Sequence, residues 1–170
     1  RPGARIAVLY HLVDGLHHNE IEHIHALCDQ LWAAGVPMEI LTERHLSGKV
    51  LEGFDVLILP GWRLTERDTA GVRAYLRGGG SVLAIGDNRT ADGTPLAKAL
   101  AGEDVKPAAA TTVGKGTLLQ FPAQALTQKR LTEALDALGG RDDCRVLDAD
   151  PMLLVNLLRG AGEGPGSVHL

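Results

Sequence analysis

The sequence predicts an α/β fold, a doubly wound, flavodoxin-like and mostly parallel sheet with helices on both faces. Short apolar runs, typical of strands buried on both faces, recur along the first half of the chain. Segments with apolar residues at spacings of three and four, typical of helices, separate them. Because parallel strands need right-handed crossovers, this β-α-β-β-α-β order places helices on both faces of one sheet. The predicted strands of this half are Ala4–Tyr10, Pro37–Leu41, Phe54–Gly61 and Ser81–Gly86.

Two helices connect these strands. The first spans 19–34, with Asn19 as its expected N-cap and Gly35 just past its end. The second spans 65–76, with Thr65 as its expected N-cap, and a run of three glycines ends it. The caps and the glycine stops agree with the apolar periodicity, so two separate signals predict each helix.

The second half of the chain is less regular. It contains a short helix, a hairpin, a longer helix that glycines close, and two final strands around a glycine-rich loop. We expect residues 1–150 to form the α/β domain. Residues 151–170 form a C-terminal β-hairpin that extends this domain or begins a following β domain. The expected elements are helix 95–100, strands 109–113 and 117–121, helix 127–138, and strands 152–159 and 167–170.

Composition limits the class of protein. The chain has 170 residues, which suit one domain, and 45% of them are hydrophobic, enough for a sizeable core. The formal net charge is -4, from 17 basic and 21 acidic residues. No Lys/Arg cluster appears, so we expect no nucleic-acid partner. No apolar run approaches the roughly 20 residues that span a bilayer, and no signal peptide is visible, so we expect a cytoplasmic protein without membrane contact.

Neither the two cysteines nor the ends of the sequence indicate a catalytic or binding site. Cys28 and Cys144 do not form a disulfide framework, and Cys28 falls on the apolar side of the first helix, where a thiol behaves as a small hydrophobe. The sequence opens without an initiator Met and stops at SVHL, in mid-strand by its pattern, so we expect a fragment of a longer protein or a trimmed chain. No motif indicates a cofactor, and we predict none.

Polar side chains follow each of the four strands in the first half. Because ligands of open parallel sheets bind beyond the carboxyl ends of the strands, these corners form the candidate binding rim. Every sheet of this kind has loops at that edge, so position alone does not establish a site. The candidate residues are His11, Asp14, Glu43, Trp62, Asp87 and Asn88.

A second group of polar residues lies on the first helix. His18, Glu22 and His25 are spaced by four and three, so they share one helical face and can present ligands to a metal. The tighter His-Glu-x-x-His pattern of catalytic metal helices is absent, and so is a fourth ligand. A solvated polar face explains the same residues, and we predict no metal.

Trp62 follows the Pro60-Gly61 pair, and we expect it at an exposed edge of the sheet. There it would stack on a sugar, pack into a subunit interface as an aromatic anchor, or cap the sheet edge. Aromatic residues are only 4% of the chain, so no broad platform for sugars exists, and we favour the interface or the cap.

The stretch FDVLILPGWRLTERDTAGVRAYLRGGGSVLAIGD resembles the class I glutamine amidotransferase-like superfamily, which includes the DJ-1 and PfpI proteins. The similarity extends from ARIAVLY through GKGTLLQFP to DPMLLVNLLR and VHL, nearly the whole chain. It is strongest to a non-catalytic branch, the middle domain linked to trimer formation in family 42 β-galactosidases and related bacterial glycosidases. The resemblance implies an oligomerisation or interaction domain of a glycoside hydrolase. Its implied partners are further copies of the chain and the other domains of the same polypeptide.

An amidotransferase of this class needs a Cys at the corner after the fourth strand, a His as base and an acid that orients it. The corner in SVLAIGDNRT has Asp87 where that Cys is expected, and no His occurs between Asp87 and His169. The resemblance therefore implies no catalytic residue in this chain. We expect Asp87 to form a turn or cap a following helix, with a ligand-binding carboxylate as the other possibility. The carboxylate pair of a glycosidase belongs in a barrel domain that this chain does not contain.

A function of a different class stays open. The chain would then be a free-standing DJ-1/PfpI-like enzyme or a small-ligand-binding protein that uses the strand-end rim. Asp14, Glu43, Asp87 and the nearby histidines would be its functional groups. A third possibility is a degenerate relative that binds a metabolite and signals through its oligomeric state.

Overall fold

The chain folds as an α/β structure in which strands and helices alternate. The computed structural model describes residues 6–11, 18–46, 49–123, 127–139, 156–157 and 168–169. Within these ranges, two one-turn 3₁₀ helices, Glu43–His45 and Leu51–Gly53, precede the third strand. The other elements are β1 (Ile6–Tyr10), α1 (His18–Ala33), β2 (Glu39–Thr42), β3 (Val56–Pro60), β4 (Arg63–Leu64), α2 (Glu66–Gly78), β5 (Ser81–Ile85), β6 (Arg89–Thr90), α3 (Leu96–Ala101), β7 (Ala110–Val113), β8 (Gly116–Phe121), α4 (Gln128–Ala137), β9 (Asn156–Leu157) and β10 (Val168–His169).

Six strands form one sheet in the order β2-β1-β3-β5-β8-β7. Every neighbouring pair is parallel except β7 and β8, which form an antiparallel hairpin at one edge. Val8 in the second strand of this order lies beside Ile40 of β2 and Ile58 of β3. The predicted doubly wound, flavodoxin-like and mostly parallel sheet is thereby confirmed.

Helices cover both faces of this sheet because the strand side chains are apolar on both. Along β1, Ala7 and Leu9 belong to a buried cluster that includes residues of α2 and α3. Ile6 and Val8, which point to the opposite face, pack in a cluster with residues of α1 and α4. Each large aliphatic side chain buried in this way stabilises the fold by about 1.5 to 3 kcal/mol.

α1 begins one residue earlier than the sequence predicts. Asn19 lies within the helix rather than at its N-cap, so that prediction is wrong. The predicted end is confirmed: Gly35 has a φ of 65°, its N–H donates to Trp32 O at 2.9 Å, and Val36 N donates to Leu31 O at 2.9 Å. Glycine adopts this left-handed conformation without a Cβ penalty, and the two bonds satisfy carbonyls of the last turn.

α2 and α4 have the threonine caps that the sequence predicts. The Thr65 hydroxyl accepts the N–H of Asp68 at 3.2 Å, and the Thr127 hydroxyl accepts the N–H of Arg130 at 3.3 Å. Gly79, with a φ of 111°, closes α2. Among the described residues, no helix combines the length and the apolar character that crossing a membrane requires.

The irregular second half also follows its prediction where the structure describes it. Gly114 and Lys115 form the turn of the β7–β8 hairpin, Gly116 begins β8, and α3 follows Pro95. Within the predicted strands 152–159 and 167–170, β9 and β10 pair antiparallel. The remaining residues of those two predicted strands lie outside the described residues.

Candidate functional site

A single buried amide joins the carboxyl ends of β3 and β5. Asn88 is 4% exposed. Its Oδ1 accepts the N–H of Gly61 at 3.1 Å and the N–H of Trp62 at 2.9 Å. Its Nδ2 donates to Leu59 O at 3.1 Å and to Ile85 O at 2.9 Å. A primary amide has two donor hydrogens and two acceptor lone pairs, so this side chain uses its full capacity on the protein backbone.

Backbone hydrogen bonds close the same corner. Arg89 N donates to Trp62 O at 2.9 Å, and Leu96 N donates to Asn88 O at 2.9 Å. Arg89 also begins β6, which pairs in parallel with β4. The candidate residue Asn88 therefore organises the corner as a structural clamp, because its side-chain atoms are already bonded to neighbouring strand ends.

The residue directly after β5 has the turn conformation typical of a nucleophile-bearing corner. Gly86 has a φ of 75°, in the left-handed region. An added Cβ would lie 3.5 Å from Ala123 Cβ and 3.8 Å from Gly61 Cα, both ordinary contacts. In a nucleophile elbow, the residue in the strained turn conformation carries the nucleophile. Here Gly86 occupies that position, and not Asp87, which was expected to stand in place of the Cys. The corner therefore has the turn but offers no nucleophile there.

Asp87 points away from the clamp. Its side chain is 71% exposed, and its carboxylate lies 2.8 Å from Nε of Arg89. Arg89 in turn donates from Nη1 to Gly93 O at 2.9 Å. No helix begins at this carboxylate, because β6 follows and α3 begins only after Pro95. The N-cap prediction for Asp87 is wrong, whereas its predicted place in a turn fits the structure.

Trp62 is buried, and its predicted exposure is wrong. It is 1% exposed, and its indole Nε1–H donates to Leu9 O at 2.8 Å. Its ring meets the ring of Tyr10 edge to face, with centroids 6.3 Å apart and planes at 81°. Burial of an indole is favourable when its N–H has an acceptor, and the end of β1 supplies one. Of the three predicted roles, a cap on the sheet fits this geometry, whereas stacking on a sugar does not.

His11 and Asp68 form a buried pair beneath the rim. His11 is 4% exposed and Asp68 is 6% exposed. His11 Nε2 lies 4.0 Å from a carboxylate oxygen of Asp68, which also accepts the Thr65 hydroxyl at 2.6 Å. The His11 ring centroid is 6.0 Å from that of Trp62. Asp68 was not among the predicted residues, although the Thr-x-x-Asp spacing at the start of α2 signals its contact with Thr65.

The remaining candidate residues are Glu43 and Asp14. Glu43 is half-buried in the 3₁₀ turn after β2. That turn is fixed by Thr42, whose backbone N–H donates to His45 Nδ1 at 3.1 Å. Asp14 lies outside the described residues.

The structure describes the side chain of only one of the three predicted metal ligands. His25 is exposed on α1, and the side chains of His18 and Glu22 lie outside the described residues. Among the described residues, no group of three His, Cys, Asp or Glu side chains has a geometry that would hold a metal ion.

A cleft of about 600 Å³ lies at the opposite, amino-terminal edge of the sheet. Glu52, Asp55 and Tyr75 are among its lining residues. Burial raises the pKa of Tyr75, whose hydroxyl donates to Phe54 O at 3.2 Å. Gly80 allows the Tyr75 ring to lie close, since a Cβ there would come within 2.1 Å of Cζ. Among the described lining residues there is no His or Cys, the two residue types that a Cys-His site would need.

Several solved structures of larger proteins contain this fold as one part of their chain. A GH42 β-galactosidase from G. stearothermophilus matches at 12% identity and a TM-score of 0.62, over 84% of this chain and 31% of that chain. A β-galactosidase from Bacillus circulans sp. alkalophilus matches at 10% identity and a TM-score of 0.62, over 92% and 34%. The exo-carrageenase GH42 from Bacteroides ovatus matches at 17% identity and a TM-score of 0.55, over 80% and 17%.

These similarities show the fold. The chain spans about a third of the length of the β-galactosidases that it matches. No family model matches the chain, and no curated protein matches it in sequence. The predicted similarity to a domain of family 42 β-galactosidases is confirmed at the level of the fold, and the wider amidotransferase-like resemblance stays a prediction.

Proposed function

We propose that this chain is a non-catalytic, amidotransferase-like domain that serves in oligomerisation or domain interaction within a β-galactosidase-like glycoside hydrolase. The observation that carries the proposal is the corner after β5. Gly86 adopts the turn conformation without a side chain, and all four hydrogen bonds of the Asn88 side chain go to backbone groups at the strand ends. A corner built in this way serves stability rather than acyl transfer.

The structural neighbours support the second part of the proposal. Each is a glycoside hydrolase by its own description, and this fold makes up about a third or less of its chain. A glycosidase needs two carboxylates about 5 to 10 Å apart across a bound sugar. On the described rim, Asp87 is exposed and paired with Arg89, whereas Asp68 is buried beside His11. The hydrolytic chemistry would then belong to other parts of such a polypeptide.

Enzyme assays on the chain test the non-catalytic part. We expect no hydrolysis of glutamine and none of an aryl β-galactoside above the rate in buffer. Turnover that Asp87→Asn abolishes would overturn this part and would favour the alternative of an enzyme that uses the strand-end rim. Asp104→Asn is the matched control, since Asp104 is also an exposed carboxylate in an ion pair, here with Lys98, away from the rim.

Sedimentation velocity tests the self-association part. We expect the chain to form an oligomer whose population rises between about 1 µM and about 1 mM. A chain that stays monomeric across that range would contradict self-association by this domain. The proposal would then reduce to binding between this domain and the remaining domains of a longer polypeptide. Adding those domains as a separate chain tests that binding.

A further inference from the structure

Two large apolar side chains are exposed beside the edge strand β2. Trp32 in the last turn of α1 is 62% exposed, and Ile40 in β2 is 58% exposed. Ala33 and Pro37, between them in the sequence, are exposed as well. We call Trp32, Ala33, Pro37 and Ile40 the α1–β2 patch. Exposed apolar patches mark interaction sites, and tryptophan is enriched among the residues that dominate binding.

Trp32 and Ile40 lie on the same side of the sheet. Ile40 is the register partner of Val8, so the two side chains point to the same face. Val8 packs in the cluster that contains Leu31 of α1, so this is the face that α1 covers. Because Trp32 directly follows Leu31 and is exposed, it lies at the rim of that helix. The α1–β2 patch therefore combines a helix rim with the strand beneath it.

The backbone of β2 has one open side. Within the described residues, β2 pairs only with β1, so it is an edge strand of the sheet. Proteins usually protect such edges with bulges, covering segments or charges, above all lysine. The single charged residue within β2 is Glu39. The opposite edge, β7, exposes Thr112 and no large apolar side chain, so the two edges differ in what they can bind.

Negative charge borders the α1–β2 patch on both faces of the sheet. Glu39 directly precedes Ile40 in β2, so its side chain points to the opposite face. On α1, Asp29 lies three positions before Trp32, so the two side chains are neighbours on the helix surface. Both carboxylates are exposed. Arg44, the first exposed cation after this strand, lies two positions beyond its end.

We propose that β2 binds an extended polypeptide segment from outside this domain, which pairs with β2 as an added strand. The segment directs apolar side chains to the α1–β2 patch and basic side chains to Glu39. This inference rests on the domain-interaction part of the proposed function, and it names the surface and the chemistry of the partner. Backbone hydrogen bonds to an open edge provide the affinity, and side chains that alternate between the two faces provide the specificity.

The two faces of β2 select an alternating pattern in the partner. In an added strand, the residue opposite Ile40 points to the face of the α1–β2 patch, and its two neighbours point to the face of Glu39. An apolar residue opposite Ile40 removes the apolar surface of both side chains from water. A lysine opposite Glu39 forms an opposite-charge pair. Because alternation reads the same in both directions, parallel and antiparallel pairing give the same preference.

Two synthetic hexapeptides with blocked ends test the proposal, one of alternating lysine and valine and one of alternating glutamate and valine. By fluorescence anisotropy of labelled peptide, we expect the lysine peptide to bind with a Kd below about 1 mM. The glutamate peptide should bind at least about threefold more weakly, and salt should weaken the lysine peptide. With unlabelled peptide, the emission of the exposed Trp32 should shift to the blue, whereas that of the buried Trp62 stays unchanged.

Surface variants locate the binding edge. Glu39→Lys should weaken the lysine peptide and strengthen the glutamate peptide, each at least about threefold, an exchange that loss of folding does not produce. Ile40→Thr should weaken both peptides, because it removes the apolar contact and keeps a β-branched residue suited to a strand. Val50→Thr is the matched control, since Val50 is 45% exposed and lies outside every strand. Thr112→Lys is the control for the opposite edge, and both controls keep the wild-type affinities.

The outcomes separate this inference from the proposed function. If the lysine peptide does not bind up to about 1 mM, or if Glu39→Lys keeps the wild-type preference between the peptides, the inference is wrong. If Thr112→Lys alone abolishes binding, the segment binds at β7 and the inference fails. Loss of self-association in Ile40→Thr without peptide binding would mean that a second copy covers the edge instead.

The proposed function has its own measurements. Self-association, or binding to added domains, that Ile40→Thr leaves unchanged would keep the proposed function and exclude β2 as its surface. If the chain neither self-associates nor binds added domains, the proposed function fails, and the two peptides still decide what chemistry the β2 edge binds.

Discussion

The side-chain Oδ1 of Asn88 accepts the backbone N–H of Trp62 at 2.9 Å, across 26 positions of the sequence. Both residues are buried, and the bond ties the turn after β3 to the turn after β5. Because the indole of Trp62 in turn donates to Leu9 O, the ends of three neighbouring strands are linked. Asn88 and Trp62, which the sequence predicted as candidate ligand-binding residues, therefore hold the carboxyl edge of the sheet together.

We expect Asn88→Ala to lower the free energy of unfolding by about 2 to 4 kcal/mol. The substitution removes four hydrogen bonds and leaves buried backbone groups without their partner. Urea denaturation followed by circular dichroism measures the change. Asp87→Ala is the neighbouring control and should change stability by less than about 0.5 kcal/mol, since Asp87 is exposed. Equal effects of the two variants would contradict the clamp.

Two glycines of α2 should respond in opposite directions to alanine. A Cβ on Gly71 would lie 2.2 Å from Leu46 O, so Gly71→Ala should cost about 1 to 3 kcal/mol through overpacking. A Cβ on Gly78 meets no heavy atom within 4 Å, so Gly78→Ala should be neutral or stabilise by up to about 1 kcal/mol. Thermal unfolding of both variants measures the difference. If Gly71→Ala unfolds at the same temperature as the wild type, Leu46 and α2 are not packed as described.

Trp62→Phe should destabilise the protein by about 1 to 2 kcal/mol, because it removes the indole N–H that donates to Leu9 O. Fluorescence checks the burial directly, since the chain has two tryptophans and Trp32 is exposed. In Trp32→Phe, the remaining Trp62 emission should be blue-shifted and resistant to acrylamide quenching. In Trp62→Phe, the remaining Trp32 emission should be red-shifted and readily quenched. The reverse pattern would mean that the two environments are exchanged.

The Asp92 carboxylate should contribute a stability that is lost in acid. The Thr90 hydroxyl, followed by the backbone and hydroxyl of Thr94, donates to this carboxylate and holds its pKa below the ordinary value. A lowered pKa in the folded state means that the contribution is present above the ordinary Asp range and disappears as pH falls through the folded-state pKa. Asp92→Asn should therefore lose stability at neutral pH and match the wild type in strong acid.

An NMR titration of the Asp92 carboxyl carbon measures this pKa directly. Thr90→Val is the control, because it removes the largest cause of the shift and should move the pKa of Asp92 upward. An Asp92 pKa that is ordinary in the wild type, or unchanged by Thr90→Val, would contradict the described turn.

Local signals in the sequence predicted the order and the type of the elements. Apolar periodicity and capping residues act within a few positions, which is why Thr65 and Gly35 were placed as the structure has them. Asn19 shows the limit of this reasoning, since a good capping residue is also tolerated one position inside a helix. Such errors shift a boundary but do not change the fold.

The structure of the candidate site could not be predicted from local signals, because it depends on contacts between residues far apart in the sequence. Trp62 follows a Pro-Gly turn and was predicted to be exposed, but its burial depends on Leu9, 53 positions away. Asn88 was predicted only as a candidate residue of the binding rim, whereas its clamp requires strand ends 26 to 29 positions away. A buried polar residue needs partners from distant segments, and pairing them requires the sheet register that only the fold provides.

The place of β1 in the sheet has a consequence for synthesis of the chain. β1 is the first strand in the sequence, yet its neighbours β2 and β3 come later, with Val56 of β3 fifty positions after Ile6. At roughly 5 to 20 residues per second, a ribosome needs about 3 to 10 s to make that stretch. For most of that interval, until β2 is made, the apolar segment IAVLY has no strand to pair with. We therefore expect a nascent chain of this protein to bind chaperones that hold extended apolar segments.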